Sequence, residues 1–209
     1  MPKPSHSLLL MRLASKWRGR TVGLYGGSFN PAHEGHLHVA CESIKRLKLD
    51  SVWMMVSPGN PLKDEAELAG YTRRQDSLQE LVTGQQKIIV SDIEKKIGTR
   101  YSVDTIKALQ SAMPKTRFAW IMGADNLATF HRWYKWREIT QMLPIAIFDR
   151  PGYSVSGLNS RFVRQYSHNQ VSYHQLLSSH APAWTFIAIP RHNGSATNIR
   201  RLKGNEWWR

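Results

Sequence analysis

The sequence predicts an α/β fold built on a doubly wound, mostly parallel sheet, and three observations lead to this prediction. Short apolar runs of strand length alternate along the chain with longer amphipathic segments of helix length, an order typical of strands joined by crossover helices. Glycine-containing turns follow several of these runs and open helical segments. The length of 209 residues and the hydrophobic fraction of 41% suit one domain with a substantial core.

Six apolar runs are predicted as strands. They cover residues 21–25, 52–56, 87–91, 118–122, 144–148 and 184–189. The run at 52–56 is apolar throughout, as expected for a strand covered on both faces of a parallel sheet. Helices are predicted at residues 35–48, 71–82, 101–113 and 136–142. Ser102 is predicted as an N-cap, residues 93–100 as a polar connection, and residues 157–180 as a polar segment.

Residues 1–20 are predicted to be a basic N-terminal extension that precedes a single domain at residues 21–209. The extension carries lysine and arginine but no acidic residue, a composition that leaves a processed organellar leader open. Its apolar stretch is short for a signal peptide, and no run in the sequence reaches the roughly 20 apolar residues of a membrane-spanning helix. Cys41 is the only cysteine, which excludes an internal disulfide and favours a reducing, cytoplasmic location.

The formal net charge of +14 predicts an anionic ligand. Nucleotides fit this expectation, and RNA or DNA would fit it too. The basic residues form no compact run interleaved with aromatic side chains, so we expect a nucleotide ligand and neither a nucleic-acid nor a membrane partner. His168, His174 and His180 lack the spacing of a metal site and are expected to be solvated.

The stretch at residues 26–36 is the strongest functional pattern in the sequence. It follows the first predicted strand and opens the first predicted helix, which places backbone N–H groups and the positive helix end where a phosphate can bind. His33 and His36 are three residues apart and can share one face, from which imidazole N–H groups can stabilise charge during phosphoryl or nucleotidyl transfer. The alternative is an ordinary strand–turn–helix connection with two exposed histidines.

Three further candidate side chains follow other predicted strands. Lys63 brings a cation to the loop after the second strand, at the sheet edge where ligands bind in open α/β folds. Asp125 follows the fourth strand and can accept hydrogen bonds from ribose hydroxyls, and Trp133 can stack on a flat ring. Loop composition alone favours a solvated lysine for Lys63. Local sequence fits a helix N-cap equally well for Asp125, and a core or surface anchor equally well for Trp133.

A second phosphate-type pattern lies near the end of the chain. Ser195 and Thr197 precede Ile199 and Arg200 in what is predicted to be another helix N-terminus. The hydroxyl and backbone N–H groups there can face a phosphate, and Arg200 adds a fork of donors. The alternative is an ordinary capped helix. This segment alone favours that alternative, but together with the pattern at residues 26–36 it favours a phosphate site.

The first pattern resembles the signature of the nucleotidyltransferase superfamily, G-x-F-x-P-x-H-x-G-H. Every position of that signature is filled, by Gly27, Phe29, Pro31, His33, Gly35 and His36. Later segments resemble motifs of one branch, the bacterial nicotinate-nucleotide adenylyltransferases. These segments are residues 58–63, 101–105, 123–133 and 150–153. Residues 194–200 resemble the second superfamily motif, I-S-S-T-x-[IL]-R, and depart from it at Gly194 and Ala196.

The resemblance implies a Rossmann-like nucleotidyltransferase fold and a reaction in which ATP and nicotinate mononucleotide give deamido-NAD and pyrophosphate, in NAD biosynthesis. It implies catalytic roles for His33, His36 and Arg200. ATP binding is implied for Gly26, Gly27, Phe29, His33, His36, Asp125, Ser195, Thr197 and Arg200. Nicotinate-nucleotide binding is implied for Ser28, Lys63, Ser102 and Trp133. Mg²⁺ is implied with ATP, held mainly by phosphates and water, because the sequence offers no carboxylate cluster for it.

Three alternatives stay open. The same fold could use another acceptor, nicotinamide mononucleotide or phosphopantetheine, because the contacts that distinguish these acceptors are not readable from the sequence. A nucleic-acid-binding protein would use the basic surface without turning over ATP. A catalytically inactive binding module would keep the fold alone, although intact His33, His36 and Arg200 argue against it. The sequence is compatible with an oligomer and does not fix the oligomeric state.

Overall fold

The structure is a computed structural model that describes residues 4–59, 68–150 and 157–190, together with residues 196 and 199. Six strands form one sheet within these ranges. They are β1 Thr21–Gly27, β2 Ser51–Val56, β3 Ile88–Ser91, β4 Arg117–Gly123, β5 Ile145–Phe148 and β6 Trp184–Ile187. All neighbouring strands run parallel, in the order β3-β2-β1-β4-β5-β6. The predicted doubly wound parallel sheet is confirmed.

The strand order reverses between β1 and β4, which lie side by side at the centre of the sheet. Leu24 of β1 pairs in register with Trp53 of β2 on one side and with Trp120 of β4 on the other. A crevice at such a reversal, outside the carboxyl ends of the strands, is where open α/β sheets bind ligands. The candidate turn at residues 26–36 leaves the sheet at this crevice.

Eight α-helices surround the sheet in the described ranges. They are α1 Pro4–Lys16, α2 Glu34–Leu47, α3 Tyr71–Leu81, α4 Ile93–Ile97, α5 Ser102–Ala112, α6 Ala124–Leu127, α7 Trp136–Met142 and α8 Arg161–Tyr166. Short 3₁₀ turns cover Phe130–Arg132, Ser167–Asn169 and Leu176–Ser178. No described helix is long and apolar enough to cross a membrane.

Two apolar cores fill the two faces of the sheet, because successive side chains of each strand point to opposite faces. Leu24 and Trp120 pack with α5 and α7 on one face, whereas Met54 and Ile121 belong to the core with α2 and α3 on the other. Every residue of β2 is buried, which agrees with its uninterrupted apolar sequence.

Helix α1 packs on the first of these faces. Leu9, Leu10 and Leu13 are partly buried against the core there, and the chain after the helix is fixed by a hydrogen bond from the Thr116 hydroxyl to the Trp17 carbonyl, at 2.9 Å. The basic segment predicted as an extension therefore contributes apolar side chains to the covering of the sheet.

Three local predictions are corrected by the structure. The predicted polar connection at 93–100 contains helix α4, and the polar segment at 157–180 contains α8, whose aromatic residues pack beside Trp184. The predicted N-cap, Ser102, is instead the first residue of α5, because Tyr101 has the extended backbone of the capping position. Burial of a few apolar side chains stabilises these short helices, and a local polar pattern does not reveal it.

Candidate active site

The turn after β1 is shaped by close packing around its glycines. A Cβ atom on Gly26 would lie 2.8 Å from the Trp120 ring, and one on Gly27 would lie 3.1 Å from the Phe29 ring. Phe29 is buried and has a left-handed backbone with φ of 46°, a conformation that costs energy for a bulky residue. The ring of Phe29, packed edge-on against Tyr25 and His36, holds the turn in this shape.

His33 and His36 close the N-terminus of α2 through a reciprocal cap. Nδ1 of His33 accepts the Gly35 N–H at 3.1 Å, and Nδ1 of His36 accepts the His33 N–H at 3.3 Å. The two rings stack with centroids 3.7 Å apart. Because a neutral imidazole has one acceptor nitrogen and one N–H, this arrangement puts the proton of each ring on Nε2. The predicted pairing of the two histidines on one face is confirmed as geometry.

Asp125 and Arg150 form an ion pair beside these histidines. Arg150 Nη1 donates to Asp125 Oδ2 at 2.9 Å, and Arg150 Nη2 lies 3.4 Å from His33 Nε2. The pair depends on Gly123, because a Cβ there would overlap Asp125 Oδ1 and lie 2.6 Å from Arg150 Cδ. Asp125 is the second residue of the short helix α6 after β4, and Arg150 follows β5, so two neighbouring strand ends bring these residues together.

The side-chain donors of His33 and Arg150 lie close together. Since Nδ1 of His33 accepts from Gly35, its Nε2 is a donor, and the Arg150 guanidinium is a second donor 3.4 Å away. Two donors aimed at one place, at the positive end of α2, make a site for an anion. Beneath it, burial raises the pKa of Tyr25 above its ordinary value, with nearby Arg150 opposing the rise and Asp125 adding to it.

A hydrophobic corner beside Trp120 contains Trp133. Its ring packs edge-on against Trp120 at 6.0 Å and against Phe130 at 5.4 Å, and it remains partly exposed. The adjacent Tyr134 stacks on Tyr101 with centroids 4.4 Å apart. This stack brings the N-terminus of α5 next to the Trp133 segment, which joins two sequence-predicted parts of the nicotinate-nucleotide site in space.

The sequence-predicted residues therefore fall into two groups. Gly26, Gly27, Ser28, Phe29, His33, His36, Ser102, Asp125 and Trp133 lie in the described ranges, all at or near the carboxyl ends of strands or the N-termini of helices. Lys63, Ser195, Thr197 and Arg200 lie outside the described residues.

Arg150 is a candidate site residue that sequence reasoning did not single out. It appeared only within a segment resembling a family motif, and its contacts join residues far apart in the chain: 25 residues to Asp125 and 117 to His33. A signal was present, because Arg150 follows an apolar strand in the same way as the other candidates. The three predicted solvated histidines are exposed, as expected.

Among the described residues, no group of three or more histidine, cysteine, aspartate or glutamate side chains could hold a metal ion. The Asp125 carboxylate in the crevice is already paired with Arg150.

Comparison with known proteins gives one family match, two similar relatives and one similar solved structure. Residues 24–202 match the cytidylyltransferase-like family. A Brucella suis protein named "Probable nicotinate-nucleotide adenylyltransferase" is 49% identical over 186 residues, covering 88% of this chain and 95% of that protein. A Rhizobium johnstonii protein of the same name is 46% identical, covering 88% and 93%. The solved Plasmodium falciparum nicotinic acid mononucleotide adenylyltransferase complexed with NaAD has a TM-score of 0.65 at 17% identity, covering 87% of this chain and 83% of that one, a likeness of fold.

Proposed function

Because this chain belongs to the cytidylyltransferase-like family and, within it, to the nicotinate-nucleotide adenylyltransferases, we propose that it transfers the adenylyl group of ATP to nicotinate mononucleotide. The products are deamido-NAD and pyrophosphate, and the step belongs to NAD biosynthesis. The family resemblance drawn from the sequence motifs is confirmed by the relatives at 49% and 46% identity. The observation that carries the chemistry is the convergence of His33, His36 and Arg150 at the N-terminus of α2.

The reaction needs charge stabilisation more than it needs a base. An oxygen of the nicotinate mononucleotide phosphate, already anionic, attacks the α-phosphorus of ATP. A new P–O bond forms, the bond to the β-phosphate bridging oxygen breaks, and pyrophosphate leaves with the electron pair. Catalysis by positioning and by donors aimed at the developing negative charge is sufficient. The Nε2–H groups of His33 and His36 and the guanidinium of Arg150 are such donors.

We assign the ATP side of the crevice to the turn after β1. Gly26, Gly27 and Phe29 let the backbone approach the nucleotide, and the close packing of both glycines supports this role. Asp125 holds a ribose hydroxyl through Oδ1, which is buried and has no hydrogen-bond partner among the described residues, while Oδ2 stays with Arg150. Ser195, Thr197 and Arg200 are assigned the β- and γ-phosphates on sequence grounds alone.

The nicotinate nucleotide is assigned to the hydrophobic corner. Trp133 stacks on the pyridine ring, and backbone N–H groups near Ser102 and Trp133 bind its carboxylate, an arrangement supported by the Tyr101–Tyr134 stack that holds these segments together. Ser28 and Lys63 are proposed for the same nucleotide. Mg²⁺ enters with ATP, bound by phosphate oxygens and water. We further propose a cytoplasmic location and no nucleic-acid partner.

The test is pyrophosphate release by purified protein with ATP and Mg²⁺. Nicotinate mononucleotide, nicotinamide mononucleotide and phosphopantetheine are compared as acceptors at equal concentration. We expect strong preference for nicotinate mononucleotide, because a pocket whose N–H groups bind a carboxylate leaves those groups poorly matched by an amide. Preference for another acceptor would keep the mechanism and refute the substrate assignment. Folded protein that releases no pyrophosphate with any acceptor would refute the enzymatic function.

A further inference from the structure

Arg74 is an arginine in helix α3 whose side chain has an unusual environment. It is 1% exposed and ranks among the largest fully buried side chains of the protein, whereas its neighbour Arg73 is exposed. Arginine is seldom buried unless its charge and its N–H groups are satisfied. The position of Arg74 therefore calls for a physical explanation.

The N–H groups of Arg74 are directed at main-chain carbonyl groups from three segments. Nε donates to the Ala69 carbonyl at 2.9 Å, just before α3. Nη1 donates to the carbonyls of Ser28 at 2.7 Å and Ser57 at 2.9 Å. Nη2 lies 3.4 Å from the Pro58 carbonyl. One planar guanidinium thus joins the turn after β1, the loop after β2 and the start of α3.

The acceptors are carbonyl groups, so geometry rather than ion pairing holds this side chain. Burial lowers the pKa of Arg74 from its ordinary value, and the ring of Tyr71 lies 5.5 Å from its guanidinium carbon. A second bond supports the same junction, because Asn30 Oδ1 accepts the Ala69 N–H at 3.0 Å. Both contacts hold the turn after β1 against the chain segment that leads into α3.

On the proposed function, the joined segments carry residues assigned to both substrates: the turn after β1 holds the ATP contacts together with Ser28, and the loop after β2 leads to Lys63. Ser28 lies between the glycines and the histidines of the ATP-binding turn, and Ser57 and Pro58 begin the loop after the neighbouring strand β2. A transfer between two bound nucleotides requires their reacting atoms to be held within a few tenths of an ångström, and a displacement of about 1 Å can cost about a hundredfold in rate.

We propose that Arg74 is a positioning residue that fixes the turn after β1 against the loop after β2, and so sets the alignment of the acceptor nucleotide with ATP. Arg74 touches neither substrate and acts through main-chain carbonyls. Lysine cannot replace it, because an ammonium group is compact and lacks the planar fork that reaches several acceptors at once. The inference rests on the proposed function, since it concerns the alignment of those two substrates.

The test compares Arg74→Lys with Arg73→Lys, two adjacent substitutions that each keep the positive charge. Pyrophosphate release is measured with ATP and nicotinate mononucleotide, and kcat and both KM values are determined for each variant. We expect kcat of Arg74→Lys to fall about tenfold or more, with both KM values within about threefold of the wild type. Arg73→Lys should match the wild type within about twofold, because the side chain is exposed.

Folding is monitored by thermal unfolding of each variant, so that rates refer to folded protein. Arg74→Met, whose apolar side chain suits the buried position, is assayed in the same way if Arg74→Lys does not fold. A kcat within twofold of the wild type would overturn the inference. An equal rise in both KM values, or a rate loss that follows the unfolded fraction, would overturn it too, because Arg74 would then serve stability alone. A wild type that releases no pyrophosphate would refute the proposed function and this inference with it.

Discussion

Two titratable groups, a cluster of three side chains and a single glutamate, lie at the carboxyl edge of the sheet. They differ in burial and in hydrogen-bond partners. His33, Asp125 and Arg150 meet at the ends of β1, β4 and β5, where Asp125 and Arg150 are ion-paired with side chains 28% and 14% exposed. Glu94 lies in α4, directly after β3, and is 4% exposed. Its carboxylate faces the Thr105 hydroxyl at 3.4 Å instead of a cation.

The two groups differ in what surrounds each carboxylate. Burial raises the pKa of Glu94 to about 7, and the hydrogen bond from Thr105 opposes that rise. The Asp125 carboxylate keeps a guanidinium partner and contact with solvent. A position at the carboxyl edge of the sheet is therefore insufficient to mark an acid as a candidate for ligand binding: Asp125 is ion-paired and partly exposed, whereas Glu94 is buried in the fold.

The largest expected effect comes from His36. Removing the imidazole in His36→Ala should lower kcat by about a hundredfold or more, because one donor to the transition-state charge is lost. His36→Gln should be equally slow while remaining as stable as the wild type, since a glutamine at this capping position can still accept the His33 N–H. Turnover and thermal unfolding of both variants check the prediction.

The control for these variants is His168→Gln, at an exposed histidine in a 3₁₀ turn, which should keep wild-type kcat. A folded His36 variant with near-normal turnover would remove His36 from the machinery.

The next effect concerns the hydrophobic corner. Trp133→Ala should raise the KM for nicotinate mononucleotide about tenfold, the size expected for loss of one stacking contact, and should change the KM for ATP by less than twofold. Trp133→Phe should recover most of the loss, because the ring still packs between Trp120 and Phe130. Equal increases in both KM values would contradict stacking on the pyridine and indicate a general packing role.

The strands and the turn after β1 could be predicted from local sequence alone. The strands were readable because each is a short apolar run, and the turn after β1 was readable because its glycines and histidines occur at fixed offsets. The histidine pair was predicted correctly because a residue at the N-cap and one at the third helical position place their side chains together. All of these features can be predicted from the spacing of residues that are close together in the sequence.

Other features depend on contacts that local sequence does not contain. The ion pair of Arg150 with Asp125 forms only when β4 and β5 pair in the sheet, and the bonds of Arg74 join segments up to 46 residues apart. Helices α4 and α8 are 5 and 6 residues long, and such short helices take their stability from tertiary packing. Glu94 looks like any surface acid in the sequence until its burial is known.

A smaller effect is expected at Gly123, where a methyl group tests the ion pair itself. In Gly123→Ala the new Cβ meets Asp125 Oδ1 and Arg150 Cδ, so the pair must separate and Arg150 must leave its place near His33. We expect kcat to fall about fivefold, since the displaced groups are side chains that can partly return. Gly70→Ala is the matched control, because nothing lies within 4 Å of a Cβ there. Equal rates for both variants would show that the pair does not matter.

The smallest effect on turnover is expected for Glu94→Gln, whose activity should stay within twofold of the wild type while its stability changes with pH. The pKa of Glu94 is raised from 4.5 to about 7 by folding, so between these values the unfolded chain gives up its proton first. The wild type therefore loses stability as pH rises through this window, by about 3 kcal/mol at most. Glutamine does not ionise and avoids this loss.

The free energy of unfolding, measured with denaturant at pH 5 and pH 8, gives the outcome directly. Glu94→Gln should be more stable than the wild type at pH 8 and only slightly more stable at pH 5. Glu80→Gln, at an exposed position of α3, should show no such pH dependence. If Glu94→Gln is less stable than the wild type at pH 8, the carboxylate is ionised and held by the fold. The acid after β3 would then resemble Asp125, and the contrast between the two edge groups would reduce to the presence of Arg150.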